Sequence, residues 1–384
     1  MKTRVAVPIA AGISLSLLFL SSACGGGEED NPFAVKSEVV TQANRAIALA
    51  FAPDGRLFYA VHGTGDVHIV TAGGELLEKP FVHVDVELGI EWGLTGLAID
   101  PDFETNHYVY VYFTQRVDPG PPVDARPVVM RFTERNNRGV QSVVIVGDFP
   151  EPSDRPGLNS NGSIGFGPDG YLYITVGDYD VGLSQDLSIL PGKMLRVNKE
   201  DGSPAPDNPF VDDPEADPRI FAYGFREPFD FAFHPETGQI YGSDNTPGSC
   251  EELNLIEAGA NYGWPDVGKF PWPDCYAGGQ TRAIHLFAKD GMQPEDYLSP
   301  VVVNGKEFVS GDVYPLLSDS LLVCQTDDTL MRRLTLSGAD LDEVVADDVV
   351  VRDCQWDIAV SPDGIIYYSN ETEIRRLVPV EPEP

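Results

Sequence analysis

The residues most capable of chemistry lie in two places. Asp178 ends the run Val-Gly-Asp, where a carboxylate can act as a general base or cap the following turn. Downstream, the stretch 223–265 combines Arg226 in a Gly-x-Arg-x-Pro turn, an acidic and polar loop, and the run Gly-Ala-Asn-Tyr-Gly-Trp-Pro. We take these residues as the start of a candidate site.

The histidines and tryptophans add little to this set. No histidine stands at a metal-ligand or catalytic-triad spacing, which favours structural or surface roles. The six histidines are His62, His68, His83, His107, His234 and His285. Tryptophans can stack on sugar rings when they face a cleft. Trp264 is expected to pack between elements, whereas Trp356 fits either a buried plug or a ligand platform.

The charge balance excludes some partners. The chain of 384 residues has 60 acidic and 26 basic residues, a formal net charge of −34. Such a surface repels phosphate backbones, so nucleic-acid binding is not expected. It attracts cations such as Ca²⁺ and disfavours polyanionic ligands unless a local basic pocket exists.

The N-terminus is typical of export. Lys2 and Arg4 precede an apolar run, and small residues then lead to Cys24, as at a bacterial lipoprotein cleavage site. Ser21 departs from that pattern, because a branched aliphatic residue is usual there, and an ordinary secretory signal is the alternative. We predict a signal peptide over 1–23, a lipid-anchored flexible tether over 24–36 and the folded domain over 37–384.

The remaining cysteines suggest disulfides. Removing Cys24 leaves four, which in an exported protein predict two bridges with three possible pairings. Proximity in sequence favours pairing Cys250 with Cys275 and Cys324 with Cys354.

A repeated unit organises the chain. Each copy has an apolar residue or two, a Pro-Asp-Gly-like turn and a short aromatic or aliphatic strand, as in FAPDGRLFYAV and GFGPDGYLYITVGD. Proline presets φ in such a turn, and Asp and Gly tolerate the positions that follow. The turn prolines are Pro53, Pro101, Pro168, Pro235, Pro315 and Pro362, the fifth in a degenerate copy.

Six such units without a long amphipathic helix predict an all-β, six-bladed β-propeller. A pair of β-sandwiches would not need the same turn six times, and a lactonase-type propeller is the other alternative. Three stretches rich in Pro and Gly, 118–127, 150–158 and 203–218, are predicted loops on the functional face.

Strings outside the repeat resemble the glucose/sorbosone dehydrogenase family, which includes soluble pyrroloquinoline quinone (PQQ) sugar dehydrogenases and aldose dehydrogenases. They are GLTGLAIDPDFETNHYVYVYFT, PGKMLRVNKEDGSPAPDNPF, the stretch 223–265 and RDCQWDIAVSPDGIIYYSN. The resemblance implies a six-bladed propeller with PQQ and Ca²⁺ on its top face. In the family a histidine takes a proton from the sugar while hydride passes to the quinone, and Ca²⁺ and an arginine polarise the quinone oxygens.

The resemblance also implies that this chain lacks the family's catalytic histidine. The position of the family's catalytic histidine is Asn159 here, and an amide cannot act as a general base at neutral pH. The aspartate that orients the histidine corresponds to Asp178, and the arginine corresponds to Arg226. The asparagine that follows that arginine in the family is replaced by Glu227.

The cofactor contacts implied by the resemblance depart further. PQQ carries three carboxylates, which the family meets with a lysine and arginines. The lysine position is Asp327, and the arginine positions are Cys354 and Trp356. Glu91 is a further cofactor-contact position. Burying carboxylates beside Asp327 without cations is unfavourable, so PQQ is not expected to bind in the family's manner.

The calcium loop is better retained. By the resemblance, Thr246 and Pro247 offer backbone carbonyls, and Glu251 and Glu252 match a nearby acidic pair. Carbonyls with carboxylates suit a hard cation such as Ca²⁺. A well-bonded loop held by Cys250 explains the same residues without a metal.

Three functional hypotheses remain. The first is a PQQ-dependent sugar dehydrogenase, and the second is a non-catalytic propeller that binds a carbohydrate or a protein. The third is a calcium-dependent, lactonase-like hydrolase that uses Asp178 and Glu252. For each we expect an exported monomer that contacts the membrane only through a lipid at Cys24. Because a fold hosts many functions, the site must decide among them.

Overall fold

The chain forms a ring of β-sheets. The computed structural model describes residues 31–89, 91–118, 124–150, 158–160, 162–179, 182–246, 250–265, 281–292 and 301–380. Within these residues there are 24 strands and one short helix, α1 (Phe103–Asn106). The strands make six antiparallel sheets of four, and these are the blades of a six-bladed β-propeller. The predicted fold class is therefore confirmed.

The first strand, β1 (Val35–Gln42), belongs to the last blade, and the next twelve strands form blades 1 to 3. Blade 1 has β2 (Ala46–Phe51), β3 (Leu57–Val61), β4 (Asp66–Val70) and β5 (Val82–His83). Blade 2 has β6 (Leu94–Ile99), β7 (Tyr108–Asp118), β8 (Asp124–Glu134) and β9 (Gly139–Val146). Blade 3 has β10 (Ile164–Phe166), β11 (Leu172–Val176), β12 (Lys193–Val197) and β13 (Ile220–Tyr223).

Blades 4 to 6 follow the same plan. Blade 4 has β14 (Phe231–Phe233), β15 (Ile240–Asp244), β16 (Glu252–Ile256) and β17 (His285–Leu286). Blade 5 has β18 (Val303–Val309), β19 (Ser320–Gln325), β20 (Leu330–Ser337) and β21 (Glu343–Val351). Blade 6 has β22 (Ile358–Val360), β23 (Ile366–Ser369) and β24 (Glu373–Pro379), and β1 pairs with β24 to complete it.

The burial of a strand depends on its position within the blade. The second strands, such as β3 and β11, are buried along their whole length, because both faces pack against neighbouring blades. Their sequences are accordingly continuous apolar runs rather than alternating ones. Outer strands such as β9 are half exposed. The core therefore consists of apolar layers between blades.

The repeated turns lie where the sequence predicted them. Each of the six turn prolines falls between the first and second strands of one blade. The glycine of the turn takes positive φ, 79° at Gly170 and 84° at Gly364, which a side chain disfavours. The end of the propeller with these turns is the bottom face, and the opposite end is the top face.

The inner strands surround a cavity on the propeller axis. It has a volume of about 300 Å³ and is lined by the first strand of every blade. Its polar lining includes Asp230, Lys306, Glu307 and Asp357. Burial lowers the pKa of Lys306 to about 8, and its ammonium group donates to the backbone oxygens of Asp230 and Asn304.

One of the two predicted disulfides is present. Cys324 in β19 is bonded to Cys354, with the Cα atoms 5.3 Å apart. Cys250 is also disulfide-bonded, but its predicted partner, Cys275, lies outside the described residues.

One loop prediction is wrong. The stretch 203–218 follows the third strand of blade 3, β12, which runs from the top face to the bottom face. That loop therefore lies at the bottom. The prediction of a loop over 118–127 is also wrong in part, because Asp118 ends β7 and 124–127 begin β8, at the top end of blade 2. Residues 119–123 and 151–157 lie outside the described residues. No helix among the described residues has the length and apolar character needed to cross a membrane.

Candidate functional site

The topology brings the candidate residues to the top face. First strands begin at this end, so the residues that precede them lie there: Asn159 before β10, Arg226 before β14 and Trp356 before β22. Second strands end at the same side, which places Asp178 after β11 and Thr246 after β15. The two places singled out in the sequence are therefore one region of the molecule.

The remaining predicted residues lie at the same end. Glu91 precedes β6, Glu251 precedes the third strand β16, and Asp327 follows β19. A carboxylate oxygen of Glu91 accepts a hydrogen bond of 2.9 Å from the backbone N–H of Ser160. Pro247 lies outside the described residues, so its assignment as a calcium ligand stays a prediction.

Asp178 is the centre of a buried hydrogen-bonded group. It is fully buried, and its Oδ1 accepts a bond of 3.2 Å from the side-chain amide of Asn159. Its Oδ2 accepts a bond from the indole N–H of Trp264. The position that the resemblance assigns to the family's base therefore presents an amide N–H to the aspartate, and an amide cannot take a proton at neutral pH.

The backbone around Asn159 explains its placement. Asn159 has φ of 48°, a conformation that asparagine tolerates better than most residues. Its carbonyl accepts a bond of 2.9 Å from the N–H of Tyr179. This approach requires Gly177, because a Cβ there would come within 2.1 Å of the Asn159 carbonyl oxygen. The Val-Gly-Asp run thus holds Asn159 against Asp178.

Arg226 joins blade 3 to blade 4. Its carbonyl accepts a 2.8 Å bond from the N–H of Asp178, and its own N–H donates to both oxygens of Asp244, at 3.1 and 3.0 Å. The guanidinium donates to the backbone oxygen of Asn245 at 2.8 Å and lies 5.6 Å from the centre of the Trp264 ring. It also forms a 3.5 Å ion pair with Glu227.

Buried carboxyl groups surround this arginine. Burial raises the pKa of Asp244 to about 6 and that of Glu251 to about 8. The pKa of Glu252 is raised well above its usual value by burial and by the nearby Asp244 and Glu251. Glu252 accepts a 3.2 Å bond from Asn254, whereas one oxygen of Glu251 is buried without a hydrogen-bond partner. The positive charge of Arg226 opposes the rise in pKa at Asp244 and Glu251, in addition to its ion pair with Glu227.

The fit to calcium is partial. The hydroxyl of Thr246 donates to the backbone carbonyl of Cys250. Glu251 and Glu252 supply oxygen atoms of the type Ca²⁺ prefers. Among the described residues, however, no three His, Cys, Asp or Glu side chains are grouped as metal ligands. A metal here would depend on backbone carbonyls and water as well as Glu251 and Glu252.

The residues at the PQQ contact positions do not fit an anionic quinone. Cys354 is fully buried and bonded to Cys324, so it offers no charge. Trp356 is only 6% exposed, its N–H donates to Glu371 at 3.2 Å, and the Arg45 guanidinium lies 4.4 Å from its ring centre. Asp327 is exposed and negatively charged. Of the two interpretations of Trp356, the buried plug is the one the structure has.

Sequence reasoning missed Asp244, Arg45 and the hydrogen bond of Trp264. Asp244 had a signal, since an aspartate stands at or just after the end of the second strand in blades 3 and 4, in the runs Val-Gly-Asp and Gly-Ser-Asp. Arg45 and Trp264 had none, because each meets its partner from a different blade.

Known proteins share this architecture. The glucose/sorbosone dehydrogenase family model matches residues 43–378. Aldose sugar dehydrogenase YliI of Escherichia coli is 27% identical over 383 residues, covering 95% of this chain and 97% of that protein. A solved Thermus thermophilus structure, described as a putative oxidoreductase (glucose dehydrogenase), is 30% identical with a TM-score of 0.75, covering 90% of this chain and 100% of that one.

A further relative bears a different kind of name. Hedgehog-interacting protein of Mus musculus is 30% identical over 213 residues, which are 50% of this chain and 30% of that protein. The match of the family model to most of the chain, together with the six blades, decides the assignment. This chain belongs to the glucose/sorbosone dehydrogenase family.

Proposed function

We propose that this chain is a non-catalytic propeller that binds a small sugar or glycan at its top face. The observation that carries the proposal is the Asn159–Asp178 hydrogen bond, in which an amide stands at the position of the family's base. A sugar hydroxyl held there would keep its proton, because an amide is no general base at neutral pH. Oxidation by hydride transfer would lack that proton acceptor.

Unpartnered polar atoms support a hydroxyl-rich ligand. The amide oxygen of Asn159 and the hydroxyl of Ser160 are buried without hydrogen-bond partners, and these residues are only 1% and 3% exposed. Buried polar groups are normally paired, so these atoms suit a ligand that both donates and accepts. Sugar hydroxyls have this property. Hedgehog-interacting protein, named for an interaction rather than a reaction, offers a precedent for binding within the family.

Sugar oxidation is the second candidate. It is favoured by the family and by the retention of Asp178 and Arg226, which the resemblance assigns to orientation and to polarisation of the quinone. The poor fit at Cys354, Trp356 and Asp327 argues against it. The hydrolase hypothesis has less support, since the carboxyl group of Glu252 already accepts a hydrogen bond from Asn254.

The test combines turnover with binding. The purified full domain, supplied with PQQ and Ca²⁺, is assayed for dye-linked oxidation of a panel of aldoses, with the E. coli aldose sugar dehydrogenase as positive control. We expect no turnover, together with heat of binding for at least one sugar in isothermal titration calorimetry. Sugar-dependent dye reduction would reject the proposal.

Two variants locate the binding. Asn159→Gly removes the side-chain amide and tolerates the positive φ of this position, so it should abolish sugar binding, whereas Gln239→Gly, at the bottom face, should not change it. Circular dichroism checks that both variants are folded. Equal binding by the two variants would place the sugar elsewhere. Export and lipid attachment at Cys24 remain part of the proposal and are tested by metabolic labelling with a fatty acid.

A further inference from the structure

Trp264 differs from the other tryptophans that the structure describes. Trp92 is 4% exposed and Trp356 is 6% exposed, so both are core side chains. Trp264 lies at the top face and is only partly buried. An indole has a large apolar surface and is frequent where proteins bind ligands and partners. Of these three tryptophans, Trp264 is therefore the one that a ligand at the top face can touch.

Three hydrogen bonds hold Trp264 in one orientation. Its backbone N–H donates to the carbonyl of Gly224 at 2.8 Å, and its own carbonyl accepts a 2.6 Å bond from the side-chain amide of Gln185. The indole N–H donates to the buried carboxylate of Asp178. Both the backbone and the ring are thus fixed before any ligand arrives. A rigid side chain loses little entropy on binding, which favours affinity.

The turn at Gly224 brings Arg226 next to Trp264. Gly224 has φ of 85°, and a Cβ there would lie 2.7 Å from the backbone nitrogen of Gly263 and would overlap the side-chain oxygen of Asn261. A glycine is therefore required, because the two segments meet backbone to backbone. The guanidinium of Arg226 lies 5.6 Å from the centre of the Trp264 ring as a result.

Arg226 has hydrogen-bond donors to spare. Its Nη1 group donates to the carbonyl of Asn245 at 2.8 Å and pairs with Glu227 at 3.5 Å. Its Nε and Nη2 groups donate to none of the described residues, and they are not buried, since the side chain is 17% exposed. A guanidinium carries five N–H donors. The partly exposed indole therefore has accessible donors beside it.

We propose that Trp264 is the platform on which a sugar ring stacks, with Arg226 donating to the ring hydroxyls and Asp178 holding the indole in place. The inference rests on the proposed sugar-binding function and specifies its ligand as a pyranose rather than an open-chain polyol. The C–H groups on one face of a pyranose pack on the indole, and the hydroxyl oxygens around its edge accept from the guanidinium.

This assignment gives Asp178 a role that needs no base. One oxygen of its carboxylate accepts from the amide of Asn159 at 3.2 Å, and the other accepts from the indole N–H of Trp264. Neither of these donors gives up its proton at neutral pH. Asp178 is therefore a positioning residue, which sets the indole and the amide side by side at the top face.

The experiment on the wild-type domain compares ring sugars with their open-chain counterparts. Glucose, galactose and xylose are titrated against sorbitol, galactitol and xylitol by calorimetry at pH 7. We expect the sugar that binds best to bind about tenfold more tightly than its alditol, because an open chain has no flat apolar face and must be ordered on binding. Saturation with that sugar should also change the tryptophan fluorescence, and the change should be absent in Trp264→Phe.

Variants separate the platform from its support. Trp264→Leu removes the aromatic ring and should weaken sugar binding about tenfold, whereas Trp264→Phe keeps a smaller ring and should lose about threefold. Trp356→Phe makes the same change in a buried tryptophan and should bind sugar as the wild type does.

Asp178 is tested by a second pair. Asp178→Asn keeps an oxygen that can accept from the indole N–H, so it should restore most of the affinity that Asp178→Ala loses. Circular dichroism checks that every variant is folded.

The outcomes separate this inference from the proposed function. Equal affinity for a sugar and its alditol, or full affinity in Trp264→Leu, overturns the platform and leaves sugar binding intact. Binding of none of the sugars overturns the proposed function itself. A loss in Trp356→Phe as large as that in Trp264→Leu assigns the effect to general destabilisation and rejects the platform. Binding by Asp178→Asn as weak as that by Asp178→Ala rejects the positioning role, because the site then needs the charge of the carboxylate.

Discussion

The top face has two halves that differ in kind. In the half from blades 3 and 4, Asn159, Asp178 and Trp264 form a buried polar group that Arg226 connects to the next blade. In the half from blades 5, 6 and 1, a disulfide and the stacked pair of Trp356 and Arg45 occupy the positions of cofactor contacts. The first half is built of hydrogen bonds, and the second of covalent and aromatic packing.

The difference concerns where a bound ligand would add hydrogen bonds. Trp356 has a partner for its N–H in Glu371 and a partner for its ring in Arg45, so its packing is complete without a ligand. Around Asn159, buried polar atoms remain without partners. Unpaired buried polar groups are costly, so the atoms around Asn159 would gain from binding. The second half also has such atoms, at Arg45, Asn304 and Gln325, but the indole N–H of Trp356 is not among them. The following predictions test this contrast.

The largest expected effect is in the packed half. Trp356→Ala removes a buried aromatic side chain that also lines the axial cavity, and it should lower the free energy of unfolding by about 3 to 5 kcal/mol. Chemical denaturation measures the loss. Trp356→Phe retains a ring beneath Arg45 and should cost clearly less. If Trp356→Ala costs under about 1 kcal/mol, the side chain is not a structural plug.

The next largest expected effect is a pH dependence of the unfolding free energy, and it comes from His62 in the half that contains Trp356. Burial and the nearby Arg45 guanidinium lower the pKa of His62 from 6.5 to about 4. Between these values the unfolded chain binds a proton that the folded protein does not, so stability falls as the pH decreases. From pH 7 to pH 4, His62 should remove about 2 to 3 kcal/mol of the free energy of unfolding.

The variant His62→Gln isolates this contribution, because glutamine does not titrate. Its unfolding free energy should fall less steeply than that of the wild type between pH 7 and pH 4, whatever other groups contribute. Urea denaturation at several pH values gives both curves. Parallel curves would show that His62 is protonated equally in the folded and unfolded states.

The two halves also differ in how far the sequence predicts them. The Pro-Asp-Gly turns fix the fold, because each turn is local and recurs once in every blade. The Asn159–Asp178 relation follows from the resemblance, since both positions belong to its motifs. The stacking of Arg45 on Trp356 was not predictable, because it joins residues 311 positions apart that meet only when β1 closes the ring.

The sequence analysis also failed to predict at which end of a blade one of the loops lies. The stretch 203–218 has the composition of the top loops, yet it lies at the bottom because it follows a third strand rather than a second one. Composition indicates a loop but does not say at which end of a blade it lies. Counting strands within each repeat settles that question.

The smallest predicted effect compares one change in the hydrogen-bonded half with the same change at the start of blade 2. Trp264→Phe keeps a ring near Arg226 but removes the N–H that donates to the buried carboxylate of Asp178. Hydrogen bonds to charged groups contribute about 1.5 to 3 kcal/mol, so this variant should lose about 2 kcal/mol of unfolding free energy.

Trp92→Phe is the matched control, since Trp92 is 4% exposed and its buried N–H has no hydrogen-bond partner. Trp92→Phe should therefore lose less than Trp264→Phe, because both variants lose part of the indole ring but only Trp264→Phe loses a hydrogen bond. Both variants are measured by urea denaturation at pH 7. Equal losses would mean that ring size rather than the hydrogen bond to Asp178 sets the stability of the polar half.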